Sequence, residues 1–258
     1  MKKTIVLNDG INSCCKSINK YIIENLKEEC DIIFSKCHGK IFHIQQTHKP
    51  KLALWSASEY TQEFHDYISE YHSDITILLI VDIVVNNSQV VDFLNKTNVK
   101  IIQDSRCESG FQNIIAKYDN LYEDSVFVNT NENRNDKILA ILSGEDSANE
   151  KLKAFLYPNN QNKKIVAVGN PRFDSLVNLG IFNSPDLAFI LNRFQSVLDL
   201  SGKYRLESQA CNIPYLDVSD IGKSIEDNVV LPEIANLPEL TYKNFVSNHL
   251  LQYIRSKI

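Results

Sequence analysis

The chain has no apolar run approaching the ~18 residues that a membrane-crossing helix needs. A secretory opening is missing too. In MKKTIVLNDGINSCC the only apolar run is Thr4–Leu7, before Asn8, Asp9 and Gly10, and it reads as a first buried strand. Glycine is scarce, with eight residues, and neither GxGxxG nor the P-loop pattern occurs. Dinucleotide oxidoreductases of the usual kind and P-loop NTPases are thereby excluded. GxSxG is absent, and with it the hydrolase nucleophile elbow. Six cysteines (Cys14, Cys15, Cys30, Cys37, Cys107 and Cys211) include no CxxC pair, which predicts reduced thiols in a cytoplasmic protein. Basic excess is lacking: 27 Lys and Arg face 32 Asp and Glu, for a net charge of −5. A general nucleic-acid binder needs a basic face that displaces counterions, so nucleic acid is not an expected partner.

What is present is an ordinary globular composition over 258 residues, 43% hydrophobic and 23% charged. Short apolar runs at Thr4–Leu7, Asp31–Phe34, Ile41–Ile44 and Leu52–Trp55 predict strands. So do Ile75–Val81, Val99–Gln103, Ser125–Val128, Ile138–Leu142, Ile165–Val168, Val197–Leu200 and Tyr215–Val218. Ile75–Val81 is apolar without alternation, as in a strand buried on both faces. Helical spacing appears over Cys14–Leu26, Ser58–His72, Ser88–Leu94, Asp146–Phe155, Tyr204–Cys211 and Tyr242–Ile258. The alternation predicts an α/β fold of parallel sheets with helices on both faces. A hinge is placed between Pro158 and Gly180, dividing the chain into domains 1–163 and 164–258 with a C-terminal helix over 242–258.

His38, His43 and His48 recur every five residues near Cys37. Metal ligands must converge, which this period does not favour on a strand, so no metal site is expected. Three segments carry more chemistry. In KIVAVGNPRFD a buried strand runs into Gly169, which suits a tight turn at its carboxyl end, and Arg172 and Asp174 follow. In VLDLSGKYRLESQACNIPYLDVSD a strand ends at Ser201-Gly202 and a helix carries Glu207. Backbone N–H groups at that helix start would point donors at a crevice, and Glu207 would accept from ribose hydroxyls. In ENRNDKILAILSGEDSANEKL, Glu132 and Arg134 face either a cleft or solvent as an ion pair. Plain strand–turn–helix packing is the rival reading of the first two segments.

In order, these segments resemble nucleotide-sugar enzymes of GT-B architecture, the UDP-N-acetylglucosamine 2-epimerases and surface-polysaccharide glycosyltransferases. Glu132-Asn133-Arg134 is similar to the epimerases' Glu-Glu-x-Asn-Arg. Gly169-Asn170-Pro171-Arg172-Phe173-Asp174 resembles their Gly-Asn-Thr-x-x-Asp in the Pro-Arg form of polymer-forming transferases. Ser201-Gly202 through Glu207, then Asn212-Ile213-Pro214, resembles Ser-Gly-Gly-x-x-Glu-Glu followed by Gly-x-Pro. The resemblance implies a Rossmann-like, two-domain GT-B fold with a reduced second domain. It implies nucleotide binding by Ser201 and Glu207, joined by Gly202, Lys203, Gly169 and Arg172 around the phosphates. Asp82 and Asp104 stand where epimerases carry acidic catalytic groups, and Glu132 joins them as a third candidate. The implied partners are a nucleotide-sugar donor and a saccharide or lipid-linked saccharide acceptor, with no further cofactor. Asn8-Asp9-Gly10-Ile11-Asn12 replaces the epimerases' opening Gly-Thr-Arg-Pro-Glu, so glycosyl transfer in bacterial capsule-type polysaccharide synthesis ranks ahead of epimerisation. The third alternative is a non-catalytic paralogue that partners a full-length enzyme, docking through the apolar stripe of Tyr242–Ile258. The chain then works in an oligomer of like or unlike copies.

Overall fold

The computed structural model describes residues 2–8, 13–35, 40–107, 109–142, 146–159, 164–169, 176–217 and 234–258. The chain forms two compact units, Met1–Leu121 with Leu240–Ile258, and Tyr122–Glu239.

The first unit is a six-stranded, all-parallel sheet. Its strands are β1 (Lys3–Asn8), β2 (Cys30–Ser35), β3 (Leu52–Ser56), β4 (Thr76–Val81), β5 (Lys100–Asp104) and β6 (Ile114–Tyr118), in the order β2-β1-β3-β4-β5-β6. Successive strand residues point to opposite faces. Ile5, Leu7, Leu52, Leu54, Leu78 and Ile80 pack against α1 (Ser13–Leu26) and the C-terminal helical segment. Val6, Ala53, Trp55, Ile77, Leu79 and Val81 pack against α2 (Ile41–His48), α3 (Gln62–Tyr71) and α4 (Ser88–Asn95). Both faces are thus covered, and that is why Ile77–Val81 is apolar throughout. The helices begin on side-chain caps: Thr61 accepts from the Phe64 N–H, and Asn87 from the N–H groups of Gln89 and Val90.

The C-terminal segment runs as α-helix over Tyr242–Phe245, one π-helical stretch over Val246–Leu250, and α-helix over Leu251–Arg255. Phe245, Val246, Leu250, Leu251 and Ile254 are buried in the core of the first unit. Its apolar stripe is therefore spent on this unit rather than presented for docking to a partner.

The second unit is a five-stranded parallel sheet. Its strands are β7 (Ile138–Ile141), β8 (Ile165–Val168), β9 (Val177–Asn178), β10 (Ser196–Asp199) and β11 (Tyr215–Asp217), in the order β11-β10-β7-β8-β9. Ile138, Ala140, Ile165, Ala167, Leu198 and Leu216 bury one face with Leu152 and Leu156 of α5 (Asp146–Asn159). Helices α6 (Ser184–Leu191) and α7 (Arg205–Ala210) complete the unit. It is the smaller of the two, as the α/β reading with a reduced second domain expected.

Four expectations need correction. The units divide at Leu121/Tyr122, ahead of the boundary placed at 163. The physical reason is β7, which pairs with β8 and β10 in the middle of the second sheet and so belongs to that unit. The residues after Glu239 return to the first unit. Ile41–Ile44 opens a helix in which Ile41 and Ile44, three apart, turn inward. Ser125–Val128 forms turns, not a strand.

Candidate functional site

In open parallel sheets, ligands bind beyond the carboxyl ends of strands, where the strand order reverses direction. In the second unit the order runs β7, β8, β9 one way and β10, β11 the other, so this point lies between β7 and β10. A cavity of ≈180 Å³ opens there, lined by Leu142, Gly169, Phe182, Ser201, Lys203 and Tyr204 among others. Three residues expected to bind nucleotide, Gly169, Ser201 and Lys203, are thus brought together by the ends of β8 and β10. Gly169 sits at φ 103°, and a Cβ there would lie 3.3 Å from the Leu142 carbonyl oxygen. Only glycine meets both demands without strain. Gly202, also in the left-handed region at φ 66°, shapes the turn after β10.

The expected free donors of that turn are not free. Asp199 is buried at 1% exposure, and its carboxylate sits inside the turn. Asp199 Oδ1 accepts from the Ser201 N–H at 2.9 Å, the Ser201 hydroxyl at 2.6 Å and the Gly202 N–H at 3.1 Å. Asp199 Oδ2 accepts from the Tyr204 N–H at 2.7 Å and the Tyr215 hydroxyl at 3.2 Å. An internal carboxylate therefore takes the backbone groups that the sequence assigned to a phosphate. The helix that follows, α7, is only six residues long. Lys203 remains as the cation among the described lining residues.

Glu207 is half-buried on α7 and does not line the cavity. Burial, then the nearby carboxylates of Glu207 and Asp199, push the Tyr204 phenol above its usual range. Glu207 thus lies beside Tyr204, which itself lines the cavity. Arg172 and Asp174 lie outside the described residues, as does His38; His43 and His48 are exposed on α2. Among the described residues no cluster of His, Cys, Asp and Glu is arranged to hold a metal ion.

The acidic candidates fall in two units. Asp82 follows β4 and Asp104 ends β5, and the pairing of Val81 with Gln103 puts the two at the same level on neighbouring strands. Asp104, 3% exposed, is held by Arg106: Nε donates to Oδ1 at 2.9 Å and Nη2 to Oδ2 at 2.6 Å. The Arg106 backbone N–H adds a third bond to Oδ1 at 2.9 Å. Asp104 in turn holds the Arg106 guanidinium well above its usual pKa. Both oxygens of the Asp104 carboxylate are thus engaged by Arg106. Asp82 is half-buried at the same strand ends. Glu132 stands before β7, at the amino end of that strand and away from the cavity, in an exposed ion pair with Arg193 at 3.1 Å. The ion pair expected with Arg134 is thus made with Arg193 instead, and Arg134 donates to the Cys211 carbonyl at 3.0 Å.

Asp199 and Arg106 were not singled out in the sequence, although each left a local signal. An Asp two residues before Ser-Gly is the pattern of a side chain that closes its own turn, and Asp104-Ser105-Arg106 puts an acid and a base across another.

No family model matches the chain, and no curated protein matches it by sequence. Solved structures do match it in fold. Sucrose-phosphate synthase from Thermosynechococcus elongatus aligns with a TM-score of 0.61 at 10% identity, over 99% of this chain and 95% of that one. HepE of Anabaena, solved in complex with UDP and glucose, aligns at 0.57 and 11% identity, over 98% and 97%. A UDP-N-acetylglucosamine 2-epimerase aligns at 0.52 and 11% identity, over 100% and 89%. The chain shares with these proteins the fold of nucleotide-sugar enzymes, two Rossmann-like units of GT-B type.

Proposed function

We propose that the chain is a nucleotide-sugar-dependent glycosyltransferase that serves polysaccharide assembly, with its donor seated in the second unit. The carrying observation is the cavity at the β7/β10 end, where Gly169, Ser201 and Lys203 converge. In the fold relative HepE the ligands are UDP and glucose, which supports the same ligand class here. The reaction needs positive charge on the leaving phosphate and a base for the acceptor hydroxyl. Lys203 supplies the first. The candidates for the second are Asp82 and Asp104 at the β4/β5 ends, of which Asp104 is already engaged by Arg106. The test is thermal stabilisation by UDP, CDP, GDP and CMP. A nucleotide at 100 times its dissociation constant adds about 2.7 kcal/mol. Lys203→Ala should abolish the shift, and no shift with any nucleotide overturns the reading.

A second reading is favoured by Asp199. A turn whose N–H groups are filled by its own carboxylate suits a non-catalytic relative that keeps the fold and has given up the phosphate grip. Under that reading Asp82→Asn and Lys203→Ala leave the biological activity intact. Epimerisation is separated from both by solvent deuterium incorporation at C2 of the sugar.

A further inference from the structure

At the opposite, amino-terminal end of the first sheet lies a cavity of ≈300 Å³, built entirely within that unit. Its lining includes Lys51 at the start of β3, Lys100 at the start of β5, Lys257 beyond the C-terminal helix, and His72 after α3. No ion pair ties Lys51, Lys100 or Lys257 among the described residues; Lys257 Nζ rests 5.4 Å from the centre of the Tyr253 ring. Asp74 is the single acid among the described lining residues. Lys100 is half-buried.

The frame around these groups is firm. The Lys51 N–H donates to the Thr4 carbonyl at 2.9 Å, and the Lys51 carbonyl accepts from the Thr76 N–H at 3.1 Å. His72 Nδ1 accepts from the Asn98 N–H at 3.5 Å. The end of the helix bearing Lys257 is anchored by the buried Leu251 and Ile254. Three lysines line this cavity against one acid, Asp74, and a bound anion would offset the excess positive charge.

We propose that this cavity, lined by Lys51, His72, Lys100 and Lys257, is a binding site for a phosphoryl or diphosphate group, separate from the donor cavity of the second unit. Ammonium groups suit such an oxyanion as point charges.

Pyrophosphate is the probe, titrated calorimetrically into the whole chain at low salt. The triple variant Lys51→Gln, Lys100→Gln, Lys257→Gln should bind it roughly tenfold or more weakly, and rising salt should weaken wild-type binding. Lys117→Gln, on an exposed residue of β6, should bind as wild type. Co-sedimentation with phosphatidylglycerol vesicles separates the sources. Vesicle binding that pyrophosphate competes away assigns the phosphoryl group to a lipid, and pyrophosphate binding without vesicle binding assigns it to a free phosphoester. Absent heat with wild type, or equal heat from wild type and a triple variant shown by circular dichroism to be folded, overturns the proposal.

Discussion

Asp199 shows how one side chain decides what a turn does. Five donors converge on its two oxygens, three of them backbone N–H groups of the turn after β10. Asp199→Ala should therefore cost about 2–4 kcal/mol, because buried donors lose a charged acceptor and gain nothing in return. Urea denaturation followed by circular dichroism measures it, and a cost under about 0.5 kcal/mol, the size of an ordinary surface substitution, refutes the role. Cysteine chemistry belongs to this scale as well. Burial pushes the Cys14 and Cys15 thiols from 9.0 up to about 12. The folded state thus holds both as neutral thiols, and their contribution to stability is complete below pH 9. It is lost as pH rises from 9 toward 12, because the unfolded thiols ionise first. Trp55, the single tryptophan, is fully buried in the first unit and reports that loss by fluorescence. Stability of this unit that is flat from pH 8 to 11 would contradict the burial.

Among the elements, the turn at Gly169 and the C-terminal helix make the sharpest predictions. Gly169→Ala places a Cβ against the Leu142 carbonyl in a backbone region closed to alanine. It should lower stability by about 1–3 kcal/mol and weaken nucleotide binding together. Ile254→Ala empties a fully buried site between the C-terminal helix and the first sheet, and should cost about 2–5 kcal/mol in the Trp55 transition. The strands that wrote themselves into the sequence are those buried on both faces. Ile75–Val81 maps onto β4 because only Thr76, near its start, breaks the apolar run, and Val197–Leu200 maps onto β10 although it carries Asp199. Strand β6 was not legible: Ile114 and Ile115 are half-buried, Lys117 points to solvent, and the strand sits at the sheet edge. Helix α2 was misread because Ile41-Phe42-His43-Ile44 is too short a run for period 2 and period 3.6 to be told apart. The Gly169 and Ser201 turns were legible from their residue types, whereas the occupant of the second turn was not. Whether its N–H groups face outward or toward Asp199 depends on a rotamer that no spacing records.

Across the whole molecule, two parallel sheets are joined by a chain that leaves the first unit at Leu121 and re-enters it at Leu240. The polar stretch NTNENRN precedes the central strand of the second sheet, and PNNQNKK only links α5 to β8, so composition alone favoured the wrong break. Among the described residues no helix is long and apolar enough to cross a membrane. The cavity proposed for the donor lies where the second sheet reverses its strand order, and Lys203 is the cation that the described residues offer there. Crystals soaked with UDP probe that arrangement directly. The nucleotide should lie beyond the carboxyl ends of β7, β8 and β10, with its phosphates on the Lys203 side and Asp199 still inside its turn. An empty cavity at saturating UDP, or UDP bound elsewhere on the chain, would contradict the assignment.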